Sequence, residues 1–280
     1  MVKFINKTPL RAVTFLFLVT LIIVVFVTSC WGVVSSSVFP NTTLGLYNRE
    51  FWENVLVEAH GMVFDILIIG VIVVWLDTRR TTYNEKKSML NELSDMSYLD
   101  LPEVNHRKVG MMHRLNNLGE TTFDIEELII AKARVNGLFS ENSNFRYLKA
   151  FNSSFTKVTF INTCLFRSDF SGTEIKSTKF LSCDLKKAVF IGSKATGVNY
   201  TDSNLERAKF MNADLQSAIF KGCNLREANF ENANLRSANL KGATYIKVEQ
   251  LLKAKNLDYV VVDEELKIQL KQSGAAVKGI

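Results

Sequence analysis

The 280-residue chain holds four cysteines and three histidines. Cys30, Cys164, Cys183 and Cys223 form no CxxC pair and join no His/Cys cluster, so the ligand spacing of a zinc site is missing. His106 and His113 lie seven residues apart, on one helical face, but no carboxylate or thiol completes a site beside them. There is no Gly-rich phosphate loop, no nucleophile motif and no pair of carboxylates in a pocket. The chain therefore reads as a non-enzyme, with no catalytic residues, no metal and no cofactor expected.

What the chain has is two unlike materials. The first is apolar. Val13 to Val34 is an uncharged run of 22 residues, and at about 1.5 Å per residue a helix of that length spans a bilayer. A second run, from about Val55 to Leu76, is long enough but contains Glu58, His60 and Asp65. Lys3, Lys7 and Arg11 precede the first run, and Arg79, Arg80, Lys86 and Lys87 follow the second. Only Arg49 lies between. Because positive residues stay inside, this predicts a two-helix hairpin in a bacterial inner membrane with both termini cytoplasmic. Val27-Thr28-Ser29-Cys30 resembles a bacterial lipoprotein cleavage site, which leaves Cys30 as a lipidation candidate. Against cleavage, the apolar stretch exceeds a signal-peptide core, and Trp31, Val33 and Val34 continue past the cysteine.

The second material is a repeat. From Ile125 to Tyr245 nearly every fifth residue is large and apolar, over twenty-five units without an insertion. The exceptions are Ser140, Ala150 and Ala195. Two residues before most centres sits a small residue, such as Ser143, Thr163, Cys183, Ala213 or Ala238. Alternate residues of an extended chain point to one face, so centre and small residue point inward and the other three face water. Those three are rich in Asn, Asp, Ser, Gly, Lys and Arg, which suit turns.

A longer period lies beneath. At steps of twenty, Leu165, Leu185, Leu205 and Leu225 form one series. Phe170, Phe190, Phe210 and Phe230 form the next, then Ile175, Ala195, Leu215 and Leu235, then Phe160, Phe180, Tyr200 and Phe220. A coil of four pentapeptides, with like stacked on like, explains this. At about 4.8 Å per coil, Cys183 and Cys223 stand two coils apart, about 9.6 Å. That is too far for a disulfide, and reduced thiols suit the cytoplasm.

ADLQS, ANLRS and ANLKG (213–217, 233–237 and 238–242) match A-(D/N)-L-x-x, and ANFEN (228–232) does so except for Phe at the centre. Here the sequence resembles the pentapeptide-repeat family. The resemblance implies an all-β solenoid, a right-handed quadrilateral β-helix of about six coils over residues 123–247. Ser140, Ala150 and Ala195 depart from the pattern, so their coils should pack less well. Residues 123–133 read either as the first coil or as a short amphipathic helix capping a solenoid that starts near 143. The organisation expected is an N-terminal segment and first transmembrane helix (1–35), an external loop (36–53), a second transmembrane helix (54–78) and a helical linker (79–122). The solenoid (123–247) follows, then a short helical cap and tail (248–280). The linker should be two charged helices broken near Pro102, and the cap shows helical spacing at Val248, Leu251, Leu252, Leu266 and Leu270.

Two functions fit. One is a membrane-anchored scaffold presenting the solenoid to a protein partner. Phe151, Ile161, Phe166, Leu181, Ile191 and Met211 each follow a centre and should face outward, so they form a candidate interaction surface, or a seat for the linker helices. The other is an oligomeric pore gated by the solenoid, suited to growth arrest or phage defence, with Glu58, His60 and Asp65 as its polar candidates. A homo-oligomer is expected in either case. Residues 141–245 hold fifteen Lys/Arg against nine Asp/Glu, a net of +6. The resemblance brings to mind family members that mimic DNA and bind gyrase, but a basic surface disfavours that. It is attracted instead to an anionic inner leaflet. Nucleic acid is not expected, because the sequence shows no aromatic positions interleaved with the charge.

Overall fold

The computed structural model describes residues 9–38, 49–274 and 277–279. The chain divides into two compact units, Met1–Asn84 and Glu85–Ile280.

The first unit contains α1 (Pro9–Ser29), α2 (Trp31–Val38) and the opening of α3 (Arg49–Asp95). Most of the expected external loop, residues 39–48, lies outside the described residues. Val13 meets Gly70, Phe17 meets Phe64 and Trp31 meets Glu53, so the helices pair antiparallel. A Cβ on Gly70 would lie 2.5 Å from Val13 Cγ1. The glycine thus permits a close approach of the two helices, as small residues do where apolar helices pack.

α3 is one helix of 47 residues. The step from apolar span to charged linker at residue 78 is a change of composition inside it. No proline or glycine falls between residues 71 and 95, so nothing interrupts the backbone hydrogen bonding. The helix ends ahead of Leu99-Asp100-Leu101-Pro102, and α4 (Pro102–Asn117) begins with that proline at its first position.

In the second unit the chain winds with a strict register of twenty residues. β1 (Arg134–Asn136), β3 (Ser154–Thr156) and β5 (Glu174–Lys176) form one parallel sheet. β2 (Phe139–Glu141), β4 (Thr159–Ile161) and β6 (Lys179–Leu181) form another. Single bridges such as Asn204↔Asn224 and Lys209↔Asn229 continue all four sides towards the C-terminus. Asp124↔Asn144 and Ile129↔Lys149 show that residues 123–133 are a coil of the solenoid and not a capping helix.

Each letter of the motif has a physical role. The inward residue before each centre and the centre itself are both buried from Phe123 to Leu240, and only the last unit, with Tyr245, opens to solvent. The Asn or Asp between them accepts a hydrogen bond from the backbone N–H two residues on, as Asn224 does from Arg226 and Asn229 from Glu231. This closes an Asx turn at the corner. Its amide also donates to the coil below, as from Asn224 to Asn204 and from Asn234 to Asp214. From Glu127 to Gly242 the second residue after each centre takes a left-handed φ, which turns the chain.

The core is an aromatic array. Phe170, Phe190, Phe210 and Phe230 stack at 5.0–5.3 Å, and so do Phe160, Phe180, Tyr200 and Phe220 at 5.1–5.3 Å. The two stacks meet edge to face, for example Phe210 on Phe220 at 5.7 Å. Both offset stacks and T-shaped pairs satisfy the ring quadrupole. Ser140, Ala150 and Ala195 are fully buried like the larger centres. A void of about 10 Å³ lies between Met112 and the side chains of Phe145, Leu148, Phe155 and Phe160.

Both ends of the solenoid are covered. α4 closes the first end, burying Val109, Met111, Met112 and Leu115. Asn116 pairs with the backbone of Phe139, exchanging bonds of 2.8 and 2.9 Å. These bonds satisfy strand-edge groups that a bare solenoid end exposes. At the other end the expected helical cap is only partly helical. α5 (Val248–Leu251) is a single turn, after which the chain rejoins the ladder through Asn234↔Asn256 and Asn239↔Val261. The step grows to twenty-two there because α5 is accommodated within it. α6 (Glu264–Gln272) then buries Leu270.

Candidate functional surfaces

Thr20 of α1 keeps its hydroxyl for its own backbone. That hydroxyl donates to Leu16 and Phe17 of its own helix. Glu58, Gly61 and Asp65 are exposed on α3, while His60 is half-buried with Nδ1 2.7 Å from the Leu56 carbonyl oxygen.

The six apolar candidates of the solenoid do not form one patch. Phe151, Ile191 and Met211 follow the Phe170 series. Ile161 and Leu181 follow the Phe160 series and pair in register, and Phe166 follows the Leu165 series. They occupy three different corners. All six are half-buried, because residues one coil above and below flank them. The apolar stripe of α4 does not seat on them either, since Met112 and Leu115 enter the end of the solenoid core. Sequence adjacency suggested a cluster, and the four-sided winding disperses it.

The same winding assembles something the sequence hid. The corner after the Leu165 series carries Arg146 and Tyr147, then Phe166 and Arg167, then Lys186 and Lys187, coil upon coil. Arg146 Cζ, Arg167 Cζ and Lys187 Nζ lie 5.4, 5.5 and 6.0 Å from the centre of the Phe166 ring. Tyr147 meets that ring edge-on at 5.9 Å. Aromatic and basic residues are therefore interleaved here, contrary to the expectation from sequence, because the stacked partners are some twenty residues apart. Further along, Lys186 pairs with Glu206 at 3.0 Å and Arg207 with Glu227 at 2.6 Å. The hydrogen bond from Arg207 holds the Glu227 carboxyl below its ordinary value, and Glu227 raises Arg207 in return.

Parts of the chain are similar to known proteins. A family model described as "Pentapeptide repeat region" matches residues 153–240. The chain carries a pentapeptide-repeat solenoid. Among solved structures, trypsin-treated QnrB1, a plasmid-mediated fluoroquinolone resistance protein, is 18% identical, with a TM-score of 0.35, and the match covers 56% of this chain and 89% of that one. A pentapeptide repeat protein from the Arabidopsis thaliana thylakoid lumen is 20% identical, with a TM-score of 0.31 and coverage of 43% and 76%. HetL, involved in heterocyst differentiation regulation in the cyanobacterium Nostoc, is 19% identical, with a TM-score of 0.17 and coverage of 54% and 93%. No curated protein matches the chain.

Beneath the pentapeptide-repeat coils lies a buried cation that sequence reasoning missed. Lys108 of α4 is fully buried. Its ammonium donates to the carbonyls of Ser97, Leu99 and Ile129 at 3.0, 2.6 and 2.7 Å, and to Asn105 Oδ1 at 3.2 Å. It therefore ties the segment just after α3, α4 and the first coil together. Asn105 extends the joint by donating to Asp100 and to the Ala131 carbonyl. Burial pulls the Lys108 ammonium down to about 8, with Asp100 opposing. The only hint in the sequence was a lysine on the apolar stripe between Asn105 and Met112.

The pentapeptide-repeat core holds little reactive chemistry. Cys183 and Cys223 fill inward small-residue positions, and burial pushes both thiols up to about 12. Among the described residues no group of three His, Cys, Asp or Glu is placed to hold a metal. The Tyr200 hydroxyl is buried without a partner, and burial raises it well above its ordinary value.

Proposed function

We propose that the chain is a non-enzymatic scaffold, anchored by a membrane hairpin, that presents its pentapeptide-repeat solenoid to a macromolecular partner in the bacterial cytoplasm. The observation that carries this reading is the packed solenoid interior, which leaves the outer corners as the place where polar and aromatic side chains can engage a ligand. Long corner surfaces of this kind suit macromolecular partners. Anchoring is supported by α1 and α3. Ala12–Ser29 has a mean hydropathy of 2.7 with none of it buried, and the apolar window of Glu50–Asp95 has 2.2 with 6% buried. Ile22, Phe26 and Val57 expose about two thirds or more of their surface, an arrangement that lipid tolerates and water does not. The positive residues at 3–11 and 79–87 favour cytoplasmic termini.

Cysteine-accessibility labelling tests this in intact cells. A cysteine placed in the 36–53 loop should react with an impermeant reagent from outside, and an exposed solenoid position such as Lys209→Cys should not. Labelling of the solenoid from outside would overturn the orientation and the cytoplasmic partner with it.

A second reading, an oligomeric pore, is favoured by the exposure of Glu58 and Asp65 on an otherwise apolar stretch. Charges in a membrane span face a water path or a polar partner. If Asp65 lines such a path, Asp65→Asn should change ion flux in reconstituted bilayers while assembly stays intact. Wild-type protein that never conducts would remove this reading.

A further inference from the structure

We propose that the corner formed by Arg146, Arg167 and Lys187 around Phe166 is a phosphate-recognition site that docks the solenoid on anionic lipid headgroups of the membrane. This rests on the anchored reading above.

Three observations converge. The first is conformational. From Glu127 to Gly242 the second residue after each centre is left-handed at every corner. At the other three corners that position is mostly Gly, Asn, Ser or Asp, the residues that tolerate it. At this corner all six are long: Glu127, Tyr147, Arg167, Lys187, Arg207 and Glu227. Bulky side chains kept against backbone preference are kept for what they reach.

The second observation is electrostatic. In the upper part of the corner Lys186 is neutralised by Glu206 and Arg207 by Glu227, while Arg226 lies alone over the Tyr245 ring. In the lower part, among the described residues, Arg146, Arg167 and Lys187 form no ion pair. All three instead gather within 6.0 Å of one ring. Cation–π contact steadies each of them, but it does not neutralise three like charges set around one ring. A compact anion does, and the Arg guanidinium fork fits phosphate oxygens.

The third observation concerns which source of phosphate. The Phe166 ring is half-buried and ringed by cations, with Tyr147 against it. It is therefore a poor platform for base stacking, which single-stranded nucleic acid binding uses. A tether to the bilayer, by contrast, keeps lipid phosphates at high effective concentration. A basic cluster near the surface is attracted to an anionic leaflet.

Cys164, half-buried and two residues from Phe166 on the same corner, is a native reporter. Full-length protein is placed in nanodiscs of phosphatidylcholine alone or with phosphatidylglycerol. Alkylation of Cys164 by a water-soluble maleimide is then followed by peptide mass spectrometry. Anionic lipid should slow the reaction severalfold relative to neutral lipid. Each single change, Arg146→Gln, Arg167→Gln or Lys187→Gln, should weaken lipid binding about fivefold and so remove most of that protection, which should also vanish at high salt. Equal rates in both lipids, or protection retained in the triple variant, would overturn the site while leaving the anchor standing. Failure to enter nanodiscs at all would defeat the anchor itself. Protection in neutral discs by soluble pyrophosphate, or by an oligonucleotide at lower concentration than any lipid effect, would overturn the lipid assignment in favour of that ligand.

Discussion

At the scale of single residues, the repeat makes sharply different demands on neighbours. Phe210 is fully buried and stacked between Phe190 and Phe230, while Lys209 beside it is exposed. Phe210→Ala should cost about 3–5 kcal/mol because the coils above and below cannot collapse into the gap. Lys209→Ala should stay within about 0.5 kcal/mol. Equal midpoints in denaturant unfolding would contradict the inward and outward assignment. Tyr200 makes the opposite case. Its ring stacks on Phe180 and Phe220, but its hydroxyl is buried without a partner. Tyr200→Phe keeps the stack and removes the orphan group, so it should raise stability by about 1 kcal/mol. A lower unfolding midpoint would mean that the hydroxyl has a partner. These inward positions were legible in the sequence because burial follows a period of five. The unpaired hydroxyl was not, since only the filled array denies it an acceptor.

At the scale of elements, the joint at Lys108 is the most consequential. The native state holds this lysine near 8 against 10.5 in an unfolded chain. Between those values the native state binds fewer protons, so stability rises with pH there and the burial penalty applies in full below about 8. The gain should reach about 3 kcal/mol by the upper end. It should be absent in Lys108→Met, which also strands the Leu99 and Ile129 carbonyls and should be less stable at every pH. Parallel pH profiles for wild type and variant would contradict the assignment. The element types themselves were partly visible. Pro102 marked the start of α4, but nothing in the letters joined the apolar span and the charged linker into one helix. Composition predicts solvent, whereas helix continuity depends on the absence of breakers. At the C-terminal cap the helical spacing shows α5 and α6, but the return of Asn256 and Val261 to the ladder between them is hidden because α5 interrupts the period for one turn.

At the scale of the molecule, a solenoid with both ends covered cannot extend itself by end-to-end strand pairing while α4 and α6 stay in place. Self-association, if it sets the working unit, then falls to the apolar helices or the corners. The prediction is a defined mass in mild detergent that changes on replacing Gly70 by Leu, because a larger side chain there displaces Val13 and the α1–α3 pairing. Native mass measurement reads it directly. An unchanged mass would place the association elsewhere.

The sequence by itself determined the pentapeptide period, the twenty-residue coil, which residues point inward and the presence of two apolar helices. Each follows from local periodicity or composition, which a chain displays in one dimension. Tertiary structure decided which outward residues meet. Phe151, Ile161 and Phe166 look like neighbours in the chain and turn out on three corners. Arg146, Phe166 and Lys187 look remote and share one. The physical reason is the winding: a coil of four sides converts a separation of five into a right-angle turn and one of twenty into contact.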